Sequence, residues 1–342
     1  MATRDNSTVG GRTMTYRFRG YVGALLAAAA LACTHAAAAA DKITVIVFPG
    51  LQNLPLLAAQ SNGYFAKRGV DVEVKPTPNS QELRDGLAQG RYQIAHSAVD
   101  NAVAMAEMAK VDVVVLMGGD NGFNNLYVIP QIKSYADLRG KTVAVDAVDT
   151  AYAFQLYAML KKHGVPQGQY SVNPVGGTPL RLKTMREDPA HAAAAMMNPP
   201  FSIVAEQQGL KRMASAVATL GAYQGSAAFA LRAWAPAHRD AIERYIRSYI
   251  DGLRWVLDPA NKDKSVALLG ESLKVSPDIA GAAYAIAADP KSGFAKDARL
   301  DMQGFRNVLK LRAEMHGDWG GKPPSPAKYL DLSYYRQALK TM

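Results

Sequence analysis

Cysteine is almost missing from this chain: among 342 residues there is one, Cys33. A lone thiol excludes an internal disulfide and a thiolate metal cluster, and its place in a segment expected to be removed leaves no cysteine nucleophile behind. The histidines do not group either. His96, His163, His191, His238 and His316 are scattered, with no H-E-x-x-H or similar ligand spacing. Ser97 and Ser226 lack the G-x-S-x-G elbow of a nucleophilic serine. Gly176-Gly177 lacks the spacing of a phosphate loop and reads as a tight turn. The formal charge of +10 is spread out, with no run of about five like charges and no basic-aromatic stripe, so a basic soluble surface is expected and nucleic acid is not. Past the first forty residues no apolar run reaches the roughly 20 residues of a membrane span. No enzyme activity, metal or cofactor is expected from these residues.

What the sequence does carry begins with an export signal. Arg17 and Arg19 precede an apolar run from Tyr21 to Ala32, and small residues Ala36 to Ala40 follow. A basic n-region, an h-region and an A-x-A-type site make residues 1–40 a cleavable signal peptide, and the charge left after cleavage is +7. The n-region is long, and Met14 is an alternative start. A lipoprotein anchor through Cys33 is disfavoured, because Ala30-Leu31-Ala32 has alanine where a lipobox has leucine. The expected location is the periplasm.

After the signal, short β-branched runs alternate with helical segments, the pattern of a parallel α/β fold. Strands are expected at 43–48, 70–74, 92–95 and 111–117, with helices at 80–89 and 100–108 between them. A second series starts at 125–129 and runs through strands at 142–145, 170–174, 192–197 and 213–217, with helices at 150–162, 179–187 and from Pro199-Pro200 to Gly209. Ser134-x-x-Asp137 is a capping box. A last strand at 227–231 precedes helices at 236–258, 265–273, 277–287 and 302–316, and a tail that packs back from Tyr329. The pattern gives two α/β lobes joined by a two-crossing hinge: lobe I from 41–127 and 228–342, including the helical C-terminal part, and lobe II from 128–227. Ligands in such sheets sit beyond the carboxyl ends of the strands.

Three segments carry a resemblance to a known family. Residues 63–74, GYFAKRGVDVEV, follow the pattern G-x-F-x-x-x-G-L-x-V; residues 83–101, LRDGLAQGRYQIAHSAVDN, follow AL-x-x-G-x-x-D-I-G with Gln93 where aspartate is usual; residues 136–145, ADLRGKTVAV, match the entry into a second lobe. In this order they resemble the periplasmic binding proteins of NitT/TauT-type ABC importers, which serve sulfonates, taurine, nitrate and thiamine-precursor pyrimidines. The resemblance implies the type II periplasmic-binding-protein fold, hinge closure on a small ligand, and partnership of a monomer with an importer permease and its ATPase. A ligand-sensing receptor of a signalling system would look the same from one chain. A eukaryotic branch of relatives makes the thiamine pyrimidine with a cysteine-rich motif, which this chain lacks.

Four strand-to-helix junctions are candidate ligand contacts: Gln52 and Asn53; Ser97, Asp100 and Asn101; Asp149, Thr150 and Tyr152; and Asn198, with Tyr223 at the rim. Amide and hydroxyl groups there can donate and accept, helix N-termini favour an anionic group, and Tyr152 can lay a ring on the ligand. Ser97, Asp100 and Asp149 read equally well as plain helix caps. Gly119-Asp120-Asn121, Gly176-Gly177-Thr178 and Tyr223-Gln224 are further candidates near the hinge or rim, and Tyr152, Phe123 and Tyr223 permit an aromatic ring on the ligand. The junctions show carboxylates and no arginine, so a zwitterion or polar heterocycle fits as well as a sulfonate or carboxylate.

Overall fold

Asp41–Val47 (β1) opens the first sheet, and its burial explains its composition: Ile43, Val45, Ile46 and Val47 are all inside. The computed structural model describes residues 40–342; the signal-peptide and Cys33 expectations lie outside those residues. Val70–Pro76 (β2) alternates buried Val70 and Val72 with exposed Asp71 and Glu73, as a half-covered edge strand should. Ile94–Ala98 (β3) and Val113–Gly118 (β4) follow. The second sheet holds Asn125–Val128 (β5), Thr142–Val145 (β6), Ser171–Pro174 (β7), Ala194–Met197 (β8) and Lys211–Ser215 (β9). Ser226–Leu231 (β10) returns to the first.

The strand orders are β2-β1-β3-β10-β4 and β7-β6-β8-β5-β9. In each sheet three parallel strands meet one antiparallel strand, β10 in the first and β5 in the second, each the first strand after the chain crosses between the sheets. This is the two-lobed type II arrangement expected from the sequence, and the chain crosses between sheets at 119–124 and 216–225. Residues 125–127, assigned to lobe I from sequence, pair with β8 and β9 of the second sheet.

Local chemistry sets the boundaries. Asn79 caps the helix Ser80–Ala88 by accepting from Glu82 N at 2.9 Å, and Gly90 past its end takes φ 72°. The Ser134/Asp137 capping box forms at a 3-10 turn, Tyr135–Leu138. β3 starts two residues later than expected because Tyr92 turns back onto Gly86, where a Cβ would lie 2.1 Å from its ring, and bonds Glu82. β9 ends at Ser215 because that hydroxyl caps a short helix, Ala216–Leu220, by accepting from Ala218 N. The tail also ends in a helix, Ser333–Lys340.

The C-terminal helices cover the first sheet and reach across to the second. In Arg239–Leu257 the stripe Ile242, Ile246, Tyr249, Leu253 and Val256 is buried. The helix Met302–His316 brings Arg312, 0% exposed, between the lobes. Its guanidinium grips Asp100 through Nε and Nη2 at 2.8 and 3.2 Å, Asp318 through Nη1 at 3.1 Å, and the Asp149 carbonyl through Nη2 at 3.0 Å. Asp100 is therefore the partner of a buried arginine, which corrects its assignment as a ligand contact.

Two outcomes follow from this packing. Asp100→Ala removes one side of a buried pair and leaves Arg312 short of charge, so the unfolding free energy should fall by about 3 kcal/mol in urea titration; a change below about 1 kcal/mol would mean that Asp318 alone suffices. His96, buried against Tyr249 with ring centroids 4.8 Å apart, has no partner for either ring nitrogen among the described residues, and burial holds its pKa down at about 4. An unfolded histidine takes its proton near pH 6.5, so between pH 6.5 and 4 the unfolded chain binds more protons and native stability falls with acid, by about 3 kcal/mol across that window. His96→Leu should flatten that slope. A slope unchanged in the variant would assign the acid sensitivity to other groups.

Candidate functional site

The carboxyl ends of β1, β3, β6, β7 and β8 converge on one cavity between the sheets. The space it encloses, counted together with the open solvent at its mouth, is about 700 Å³. Phe48, Gln52, Ser97 and Asn101 line it from the first sheet, and Asp146, Thr150, Tyr152, Thr178, Arg181 and Asn198 from the second. The crossing segments supply Asp120, Phe123, Asn124 and Tyr223. Phe48, Phe123, Tyr152 and Tyr223 give it aromatic walls.

Arg181 is the central cation. It sits in the first turn of the helix Thr178–Glu187 and is 1% exposed. Its Nε donates to Met196 O at 3.2 Å, Nη1 to Gly176 O at 2.6 Å and Nη2 to Thr178 Oγ1 at 2.9 Å. Three of its five N–H groups are thus engaged, two remain, and the Tyr152 ring lies 5.2 Å beneath the guanidinium. Burial lowers its pKa, and the nearby Asp146 carboxylate opposes that shift.

From Arg181 a hydrogen-bond chain runs across the cleft. Thr178 Oγ1, which accepts from Arg181, donates to Asn198 Oδ1 at 2.6 Å. Asn198 Nδ2 donates to Gln52 Oε1 at 3.0 Å, and Gln52 Nε2 to Phe48 O at 2.9 Å. Gly50 makes the approach possible, since a Cβ there would lie 2.6 Å from Asn198 Nδ2. Around the chain, Leu51 N donates to Pro199 O at 3.0 Å, Gly177 N to Pro78 O at 2.8 Å, and Arg84 pairs with Asp149 at 3.2 Å. Ser80 bonds the Asp146 carboxylate through its backbone N at 3.3 Å and through its hydroxyl. The two sheets thus meet directly over the cavity in a closed arrangement.

Two buried carboxylates face the cavity. Asp146 has its pKa raised by burial, with Arg181 and Ser80 pulling the other way. Asp120 is also raised by burial, opposed by bonds from Ser226 and from Gly122 N at 2.7 Å. Among the described residues no three His, Cys, Asp or Glu side chains group as a metal site.

The structure brings seven of the ten residues proposed from sequence to the cavity: Gln52, Ser97, Asn101, Thr150, Tyr152, Asn198 and Tyr223. Three lie elsewhere. Asn53 is buried under the first sheet and donates to Phe48 O at 2.6 Å; Asp100 holds Arg312; Asp149 pairs with Arg84 across the lobes. Val99 N, at a junction expected to offer anion donors, donates to Gly225 O. The expectation of no arginine is overturned by Arg181. Its signal was the spacing Thr178-Pro179-Leu180-Arg181, which puts the side chain one turn inside a helix that starts at the cleft.

The NMT1/THI5-like sequence family matches residues 51–262. The taurine-binding periplasmic protein of Escherichia coli K12 is 30% identical over 146 residues, 42% of this chain. That match spans 45% of the relative's length. The fold is shared with the periplasmic nitrate-binding protein NrtA of Synechocystis, at TM-score 0.74 and 14% identity over 89% of each chain. The alkanesulfonate-binding protein SsuA of Xanthomonas axonopodis gives 0.69 and 15%, covering 85% of this chain and 98% of that one. The desulfurization enzyme DSZB gives 0.61 and 14% over 88% of this chain and 99% of its own, so the architecture also hosts catalysis. The resemblance to NitT/TauT-type binding proteins holds: the chain belongs to the NMT1/THI5-like family and has the type II periplasmic-binding-protein fold.

Proposed function

We propose that the protein is an exported, periplasmic solute receptor that captures a small organic molecule between its lobes and presents it to an ABC importer permease and its ATPase. The observation that carries this reading is the cavity roofed by the chain Arg181–Thr178–Asn198–Gln52, in which ligand-facing groups are also the groups that hold the lobes together. Such a ligand shifts an open–closed equilibrium, because it meets both walls only in the closed state. The lobes are residues 40–118 with 226–342, and 125–215; the segments between them are the hinge. The taurine-binding relative favours a sulfonate as ligand; a carboxylate or a polar heterocycle is the alternative, and the working form in this reading is a monomer. Gln52, Ser97, Asn101, Thr150, Tyr152, Asn198 and Tyr223 are its contacts, with Arg181 as the group that holds its acceptor end.

The test is thermal denaturation against sulfonates, amino sulfonates, aromatic acids and pyrimidines. A compound at a hundredfold excess over its Kd should stabilise the native state by about 2.7 kcal/mol, with a smaller radius of gyration in X-ray scattering. Turnover of the same compound with no partner protein present would replace the receptor reading by an enzyme. Gln52→Ala breaks the chain on its first-lobe side and should weaken affinity about three- to tenfold. An unaltered Kd would remove the chain from the closing mechanism.

A further inference from the structure

Four aspartates stand at the junctions around the cavity, and the structure treats them differently. Asp100 is paired with Arg312, and Asp149 with Arg84. Asp146 lies within the field of Arg181 and Arg84. Asp120 alone has neither: among the described residues its carboxylate forms no ion pair and accepts only from Gly122 N at 2.7 Å, Ser226 N at 3.3 Å and the Ser226 hydroxyl. It is 4% exposed, it lines the cavity, and its backbone carbonyl is held by two donors, Gly225 N at 2.8 Å and Gln224 Nε2 at 3.0 Å.

A second observation on the same crossing segment points the same way. Asn124, also 4% exposed and lining the cavity, donates through Nδ2 to Gln155 at 2.9 Å, while its Oδ1 has no donor. A buried carboxylate without a counter-charge and a buried carbonyl without a donor are both costly. A protonated nitrogen supplies the counter-charge that Asp120 lacks, and a ligand N–H supplies the donor that Asn124 Oδ1 lacks. A sulfonate or nitrate with no such nitrogen satisfies neither, and brings its own charge up against Asp120. At the opposite wall the two spare N–H groups of Arg181 suit an acceptor.

We propose that Asp120, seconded by Asn124, selects ligands that carry a cationic N–H group, so that the cavity takes a zwitterion or an organic cation and refuses simple anions. This rests on the receptor reading and narrows it. Asp120 would read the nitrogen from the segment that crosses between the lobes, which ties recognition of that group to hinge closure.

Calorimetric titration of the purified protein with matched pairs tests it: 2-aminoethanesulfonate against 2-hydroxyethanesulfonate, 3-aminopropanesulfonate against 3-hydroxypropanesulfonate, and 4-(aminomethyl)benzoate against 4-(hydroxymethyl)benzoate. In the pair that binds, the nitrogen-bearing member should be about ten- to a hundredfold tighter, the size of a charge-assisted hydrogen bond in a dry site. Asp120→Asn should erase most of that difference, acting chiefly on the nitrogen-bearing member. If the hydroxyl member binds as well or better, the selection is overturned while the receptor stands. Equal losses for both members in Asp120→Asn would make Asp120 a structural acceptor for Ser226 and overturn it too. Silence across all six compounds would count against receptor and selection together.

Discussion

Burying a guanidinium between two sheets is the constraint on which the rest of the cleft depends. Arg181 cannot be left dry without acceptors, and the chain supplies them from backbone: the Gly176 and Met196 carbonyls, with the Thr178 hydroxyl beside them. Those acceptors come from the end of β8 and the loop after β7, so satisfying the arginine also fixes the wall of the cavity. Thr178 then has its own proton to place, and places it on Asn198, whose amide reaches Gln52 in the other lobe. Each member of this relay is held by the previous one, and the last link forms only when the lobes meet.

A second seam lies outside the first. Arg84–Asp149, Ser80–Asp146 and the contact of Arg312 with the Asp149 carbonyl all join the lobes near the start of the helix Ala151–Lys162. Arg312 is anchored by Asp100 and Asp318 whatever the lobes do, so its bond to Asp149 is the part that opening would break. In the proposed receptor role, closure must not be so firm that no ligand is needed. Arg84–Asp149, with side chains 11% and 16% exposed, is one of the bonds that closure adds alongside what occupies the cavity.

Much of the architecture was legible because periodicity and punctuation agreed. Thr142–Val145 and Met302–His316 fall where apolar pattern, glycine and capping residues placed them. The misreadings are local and have local causes. Tyr92 looks like a strand residue but packs on Gly86, and Ser215 looks like mid-strand but caps a helix. The candidate site was partly legible, since residues that follow a parallel strand end at the cleft. Asn53, Asp100 and Asp149 follow the same rule in sequence and lie elsewhere in space, because the Phe48 carbonyl takes the Asn53 amide and arginines take the two aspartates.

By itself the sequence determined two α/β series, a double crossing, a helical C-terminal part and the junctions at which a ligand could sit. These rest on contacts between residues near in the chain, or on a pattern that repeats along it. The pairing of charges was decided only by tertiary structure. Arg312 reaches Asp100 from 212 residues away, and Arg84 reaches Asp149 from 65. An aspartate in a sequence carries the same charge whether or not an arginine waits for it. Folding brought cations to three of the four junction aspartates and left Asp120 facing the cavity, and that uneven distribution of partners, invisible in one dimension, sets the chemistry of the site.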